Sequence, residues 1–180
     1  MPPFLTPPAV DYRESYLAAL REFHAEGRNL EQNYSLLVDH FPAYVRELAT
    51  RAYDRQMSGR VPESFYWLID DGTYCGRLSV RHYLTAQLLQ FGGHIGYEIR
   101  PSRRQQGYGR LILKLGLVEA RAHGITRALI TCDDTNIASA RIIEANGGQL
   151  ENVILLPHRK VSTRRYWIDL SPPAPPGTAP

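Results

Sequence analysis

A strand, a glycine-bearing turn and a helix follow one another between Gly93 and Gly124, and this junction constrains the chain more than any other segment. Alternation from Gly93 to Arg100 sets Ile95, Tyr97 and Ile99 on one face and His94, Gly96, Glu98 and Arg100 on the other. Pro101 closes the strand. The turn Arg104-Gln105-Gln106-Gly107-Tyr108-Gly109 then opens a helix whose apolar stripe reads Leu111, Leu115, Val118 and Ala122, with Gly124 as its stop. Backbone N–H groups at a helix start lack intrahelical acceptors, and the helix dipole adds positive potential there. The turn therefore suits a pyrophosphate, and Gly107 and Gly109 let the backbone approach it closely. Taken alone, R-x-x-G-x-G is equally well a packing device.

The remaining segments arrange themselves around this unit. Tyr16, Ala19, Leu20 and Phe23 form one helical stripe, and Tyr44, Val45, Leu48 and Ala52 a second, ended by Ser58-Gly59 and Pro62. Residues 29–41 read ambiguously. Phe65 to Ile69 and Tyr74 to Arg81 form a hairpin around Asp71-Gly72, and a loop over 85–90 leads to the central strand. Phe4 and Leu5 suit a short edge strand. After the central helix come a buried strand (Ala128–Cys132), a helix (Ile137–Ala145) stopped by Asn146-Gly147-Gly148, and two strands, Val153–Leu156 and Arg165–Leu170. The order implies one α/β domain over 1–170. The proline-rich stretch 171–180 has nothing to bury and is expected to be a disordered tail.

Composition excludes several function classes. A formal net charge of +3 is too small for a dedicated nucleic-acid binder. No apolar run approaches the roughly 18 residues of a membrane span. Two cysteines, Cys75 and Cys132, make neither a disulfide framework nor a metal site, so a reduced, cytoplasmic protein without metal is expected. Arg100, Arg103, Arg104 and Arg110 lie within eleven residues, a local patch suited to a small polyanion.

Two blocks in the correct order resemble the GNAT acyltransferase superfamily. GGHIGYEIRPSRRQQGYG carries its cofactor loop, Q/R-x-x-G-x-G/A, at Arg104, Gly107 and Gly109. ITCDDTNIASARIIEANGG carries its second block, N-x-x-S, at Asn136 and Ser139. The resemblance implies a mixed, mostly antiparallel twisted sheet with one parallel βα unit, splayed central strands and helices on both faces. It implies acetyl-CoA as cosubstrate and a primary amine, on a small molecule or peptide, as acceptor. The cofactor would lie against Ile99 and Arg100, with its diphosphate on Arg104, Gln105, Gln106, Gly107, Tyr108, Gly109 and Arg110. Asn136 and Ser139 would approach its reactive end, although Asn136 equally suits a helix N-cap and Ser139 a structural position. A homodimer is in keeping with the family's habit.

Two departures bear on chemistry. Many members carry a tyrosine seven residues after the motif asparagine, where it protonates the leaving thiolate; here that residue is Ile143. Gly148 replaces a common aromatic residue. For the general base, Glu98 and His94 share the strand face beside the cofactor, Glu98 being the first choice and His94 the second. Asp133 is a candidate acceptor-binding carboxylate. The missing tyrosine keeps open a non-catalytic acetyl-CoA-binding sensor. A nucleotide enzyme fits poorly, since no Walker lysine follows the glycines and no G-x-G-x-x-G stands at the turn.

Overall fold

The sheet grows outward from a hairpin whose turn is written in two residues. Asp71 and Gly72 both take positive φ (45° and 70°), the combination a type I′ turn requires. They join β2 (Glu63–Asp70) to β3 (Thr73–Arg81) in antiparallel register. β1 (Phe4–Thr6) adds the expected edge strand on β2, and β4 (Ile95–Ile99) pairs with the other side of β3. The computed structural model describes residues 1–53, 61–157 and 159–171. The expected helix stop at Ser58-Gly59 and the tail from 172 onward lie outside the described residues.

A second antiparallel sheet has the order β5 (Arg127–Asp133), β7 (Thr163–Asp169), β6 (Gln149–Ile154). Among the described residues the backbones of the two sheets are bridged at one place, between Gly93 and Ile130, with the His94 N–H donating to Leu129 O at 2.7 Å. A Cβ on Gly93 would strike the Leu129 carbonyl, so glycine is what permits the backbones to meet. Beyond this joint the strands diverge. The crossover from β4 to β5 is present, but every ladder among the described residues is antiparallel, because the splay leaves no partner for a parallel one.

Helices cover both faces, as alternation along β2 requires. Trp67 and Ile69 point to α1 (Arg13–Ala25) and α2 (Tyr34–Thr50), where Tyr16 stacks on Trp67 at 4.8 Å and Phe41 is fully buried. Leu68 points the other way, toward α4 (Tyr108–Ala122) and α5 (Ile137–Glu144), with Leu78, Val80, Ile95 and Ile99. The ambiguous stretch before residue 42 resolves as the start of α2, capped by Asn33 and kinked at His40 ahead of Pro42. The expected loop at 85–90 contains a short helix, α3 (Ala86–Gln90), capped by Thr85.

The buried stripe of α4 differs from the expectation. Ile112, Leu113, Gly116 and Ala120 face the sheet, Leu111 and Leu115 flank them, and Val118 is 63% exposed. Gly116 is the reason. It lets the helix approach the sheet so closely that a Cβ there would collide with the Leu78 side chain, and a glycine contributes nothing to an apolar pattern.

Candidate functional site

The splay between the sheets opens a cleft of about 390 Å³ lined by Tyr97, Ile99, Gln105, Gly109, Asn136 and Ser139, with Arg28, Glu98, Arg104, Ala138 and Ile142 completing its wall. β4 forms one side and α5 the other, with the start of α4 at one end.

At that end the backbone supplies an anion site. Gln105 (φ 60°) and Gly107 (φ 86°) both take left-handed conformations, and Gly107 caps α4 without any side-chain hydrogen bond. The first helical bond runs from Leu111 N–H to Gly107 O, so the N–H groups of Tyr108, Gly109 and Arg110 precede the hydrogen-bonded ladder. A Cβ on Gly107 would meet nothing within 4 Å, so this glycine serves conformation and leaves the approach open. Gly109 does something different from what the motif suggests: a Cβ there would lie 2.5 Å from Ile142 Cδ1, so it lets α5 pack against α4. This donor set fits the diphosphate of a coenzyme A.

The arginine patch is less available than its spacing implied. Arg100 is held by Glu22, with Nε to Oε1 at 2.8 Å, and Glu22 also accepts from Ser102 N–H at 2.9 Å. Burial disfavours the Glu22 carboxylate, but Arg100 and Ser102 outweigh it and leave the carboxyl below its ordinary range. Arg104 is held by Glu26 through two bonds of 2.8 Å. Two of the four arginines are thus neutralised by carboxylates of α1 and its C-cap, Glu22 and Glu26, whose distance in sequence hid them. Arg110 has no ion pair among the described residues. The Tyr108 hydroxyl turns away to Asp70, a bond that pushes its phenol up to about 12. Gln106 donates to Ser102 O at 3.0 Å.

At the other end of the cleft Asn136 caps α5, its Oδ1 accepting from Ser139 N–H at 3.1 Å. Ser139 Oγ lies 3.0 Å from the Tyr97 hydroxyl, and burial pushes that phenol up to about 12, so it stays protonated through the neutral range. Ile143 is fully buried, and a Cβ on Gly148 would collide with it; these two departures from the family pattern fit one another.

Glu98 lines the cleft with its side chain 9% exposed. Arg77, directly opposite on β3, approaches Oε1 at 2.5 Å; Asn29 donates to Oε1 at 2.9 Å and Arg28 reaches Oε2 at 3.4 Å. All three were missed in the sequence: Arg77 meets Glu98 through the β3–β4 register, which the Asp71-Gly72 turn does not set, and Arg28 and Asn29 come from a loop that carries no pattern. His94 stands at the joint between the sheets. Its Nδ1 accepts from Leu129 N–H at 2.9 Å, which places the ring proton on Nε2. Burial, and then Arg81, pull its pKa down to about 4. Asp133 is engaged by Arg159 at 2.5 Å. Cys132 is buried, which pushes its thiol up. Among the described residues no group of three or more His, Cys, Asp or Glu could hold a metal ion, and no helix is long and apolar enough to cross a membrane.

The family model for the acetyltransferase (GNAT) domain matches residues 12–149. Comparison with curated proteins finds no match. Solved structures share the fold. RimJ of Mycobacterium smegmatis in complex with CoA-disulfide superposes with a TM-score of 0.66 at 19% identity, over 93% of this chain and 81% of that one. An acetyltransferase of Salmonella typhimurium that modifies the N-terminal serine of the 50S ribosomal subunit protein L7/L12 gives 0.63 at 17% identity, over 94% and 95%. The Microcin C7 self-immunity acetyltransferase, in complex with acetyl-CoA and AMP, gives 0.65 at 15%, over 93% and 92%.

Proposed function

The chain belongs to the GNAT acetyltransferase family, and on that premise we propose that it transfers the acetyl group of acetyl-CoA to a primary amine. The observation that carries this reading is the uncapped start of α4 opening onto a cleft that reaches Glu98 and Ser139. The N–H groups around Gly107 to Arg110 hold the diphosphate. Gln105 and Arg104 shape the loop, and Gln106 and Tyr108 fix it from behind. Among the described residues β4 pairs with β3 along one edge only, so its other edge between Gly96 and Arg100 offers N–H and C=O groups to an extended pantetheine arm. Ile99 lies along that arm.

Bound acetyl-CoA supplies an activated thioester, and the protein supplies position and proton traffic. Glu98 is the carboxylate that draws the amine in and takes its proton. Arg77 and Asn29 keep it aimed at the cleft. Ser139 Oγ, next to Tyr97, is the hydroxyl best placed to give a proton to the departing sulfur, the task that Ile143 cannot perform. His94 serves the sheet joint rather than the cleft. The related Salmonella enzyme acts on a protein N-terminus, which makes a peptide amine a natural acceptor to test beside small amines. Two free, buried thiols suit a reducing compartment such as the cytoplasm.

Calorimetric titration with acetyl-CoA, followed by thiol release over amines, amino acids, polyamines, aminoglycosides and peptides, tests the reading. Saturable binding and acceptor-dependent release are expected. Binding without release from any acceptor would favour a sensor, and no binding at all would overturn the proposal.

A further inference from the structure

Arg28 is the one cleft-lining arginine whose guanidinium is loosely held. Arg104 is clasped by Glu26, whereas Arg28 makes, among the described residues, one ion pair, a 3.4 Å contact with Glu98 Oε2, and its side chain is 49% exposed. Glu98 does not depend on that contact, since Arg77 and Asn29 already engage its other oxygen. The Phe23 ring, 5.7 Å below, adds only a weak attraction.

The backbone beneath this loose side chain is fixed. Arg28 N–H donates to Phe23 O and Gly27 N–H to His24 O, both at 2.9 Å, with Gly27 left-handed at φ 71°; this closes α1 in a Schellman motif. Asn29 is pinned from two sides, by Glu98 and by His24 Nε2 on its carbonyl at 3.0 Å. Glu26, two residues earlier, holds Arg104 of the α4 loop. The Arg28 side chain therefore rises from a rigid base and lines the same cleft as Gln105 and Gly109.

We infer that Arg28 is a ligand of the cofactor's diphosphate, and that it leaves Glu98 when the cofactor enters. The inference rests on the acetyl-CoA reading above. A guanidinium prefers the paired oxygens of a phosphate to a carboxylate that another arginine already neutralises. Arg104, the other arginine in the cleft wall, is committed to Glu26, and Arg110 at the start of α4 is not part of that wall. Arg28 is therefore the mobile guanidinium that a dianion in the cleft can recruit beside the backbone N–H groups. Its departure frees Glu98 Oε2, so that cofactor binding exposes the carboxylate the amine needs.

Two ligands separate this role from a merely structural one. Acetyl-CoA carries the diphosphate, and S-acetylpantetheine does not. Arg28→Gln should weaken acetyl-CoA binding about tenfold or more, as expected for a lost charge-assisted contact. S-acetylpantetheine binding, followed by ligand-observed NMR, should be unchanged, and this also reports an intact fold. Arg28→Lys should recover part of the loss. Glu98→Gln should bind acetyl-CoA more tightly than the wild type, and that gain should vanish in the Arg28→Gln background. Equal acetyl-CoA affinity in wild type and Arg28→Gln, or an equal loss for both ligands, overturns the inference and leaves the acetyltransferase reading standing. A wild type that binds no acetyl-CoA overturns both.

Discussion

Arg104 and Glu26 form a two-pronged ion pair, Nη1 to Oε1 and Nη2 to Oε2 both at 2.8 Å, that ties the loop before α4 to the end of α1. Arg104 Nε also reaches Ile99 O at 3.3 Å, so one side chain links the loop, the central strand and the N-terminal helix. The pair is 37% and 38% exposed, so solvent screens it and its worth to stability is at most about 1 kcal/mol. Arg104→Gln and Glu26→Gln should each lower stability by no more than that. A double-mutant cycle in urea should return a coupling of roughly 0.5 kcal/mol. A coupling of several kcal/mol would mean that the pair is shielded from water.

Gly107 concerns the loop's shape. Its φ of 86° strains any β-branched residue, and a Cβ there meets no protein atom within 4 Å. Gly107→Val should lower stability by about 1–3 kcal/mol and abolish acetyl-CoA binding. Undiminished affinity by calorimetry would remove the α4 start from the cofactor site.

Gly116 concerns packing far from the cleft. Gly116→Ala drives a methyl group into Leu78 beneath α4, and overpacking of this kind costs about 1–3 kcal/mol. Leu78→Val in the same background should restore part of the loss. Urea midpoints for the three variants settle it: if Gly116→Ala is as stable as the wild type, the contact is not tight.

Features written in adjacent residues were legible in the sequence: the Asp71-Gly72 turn, the two faces of β4, the glycine start of α4 and the Asn136 cap. What failed had two physical causes. Glycine is silent in an apolar pattern, so Gly116 hid the true face of α4, and Gly93 hid the joint that takes His94 out of the cleft. The fate of the arginines depended on Glu22 and Glu26, nearly eighty residues away along the chain. Arg28 was unreadable for the same reason, since only the fold brings its loop over Glu98.

His94 gives the protein an acid-sensitive joint. Its folded pKa of about 4 lies below the ordinary value of about 6.5, so between these values the unfolded chain binds the additional proton. Its contribution is complete above about pH 6.5 and is lost as pH falls toward 4. Protonation at Nδ1 would also set two donors, the ring and Leu129 N–H, against each other. His94→Gln keeps an acceptor without titrating, so its melting temperature should fall less than the wild type's between pH 6.5 and 4.5. Parallel curves for the two proteins would show that His94 does not set the acid limb.

Glu98 and Ser139 face the same cleft from opposite walls, and the proposed roles separate them by pH. As proton acceptor, Glu98 must be a carboxylate, so its loss removes both rate and the acid limb of kcat/KM. Glu98→Gln keeps shape and hydrogen-bonding capacity toward Arg77 and should lower kcat/KM by about 10²–10⁴. Ser139→Ala removes a donor whose partner, Tyr97, stays protonated, so it should lower kcat and leave the acid limb in place. Tyr97→Phe, which keeps the Ser139 hydroxyl, should cost less than Ser139→Ala. His94→Gln, measured beside them, should keep the limb, because the ring is turned to Leu129. Full activity with an unchanged limb in Glu98→Gln means that Glu98 only anchors Arg77 and Asn29. Loss of the limb in His94→Gln alone passes the role of base to His94.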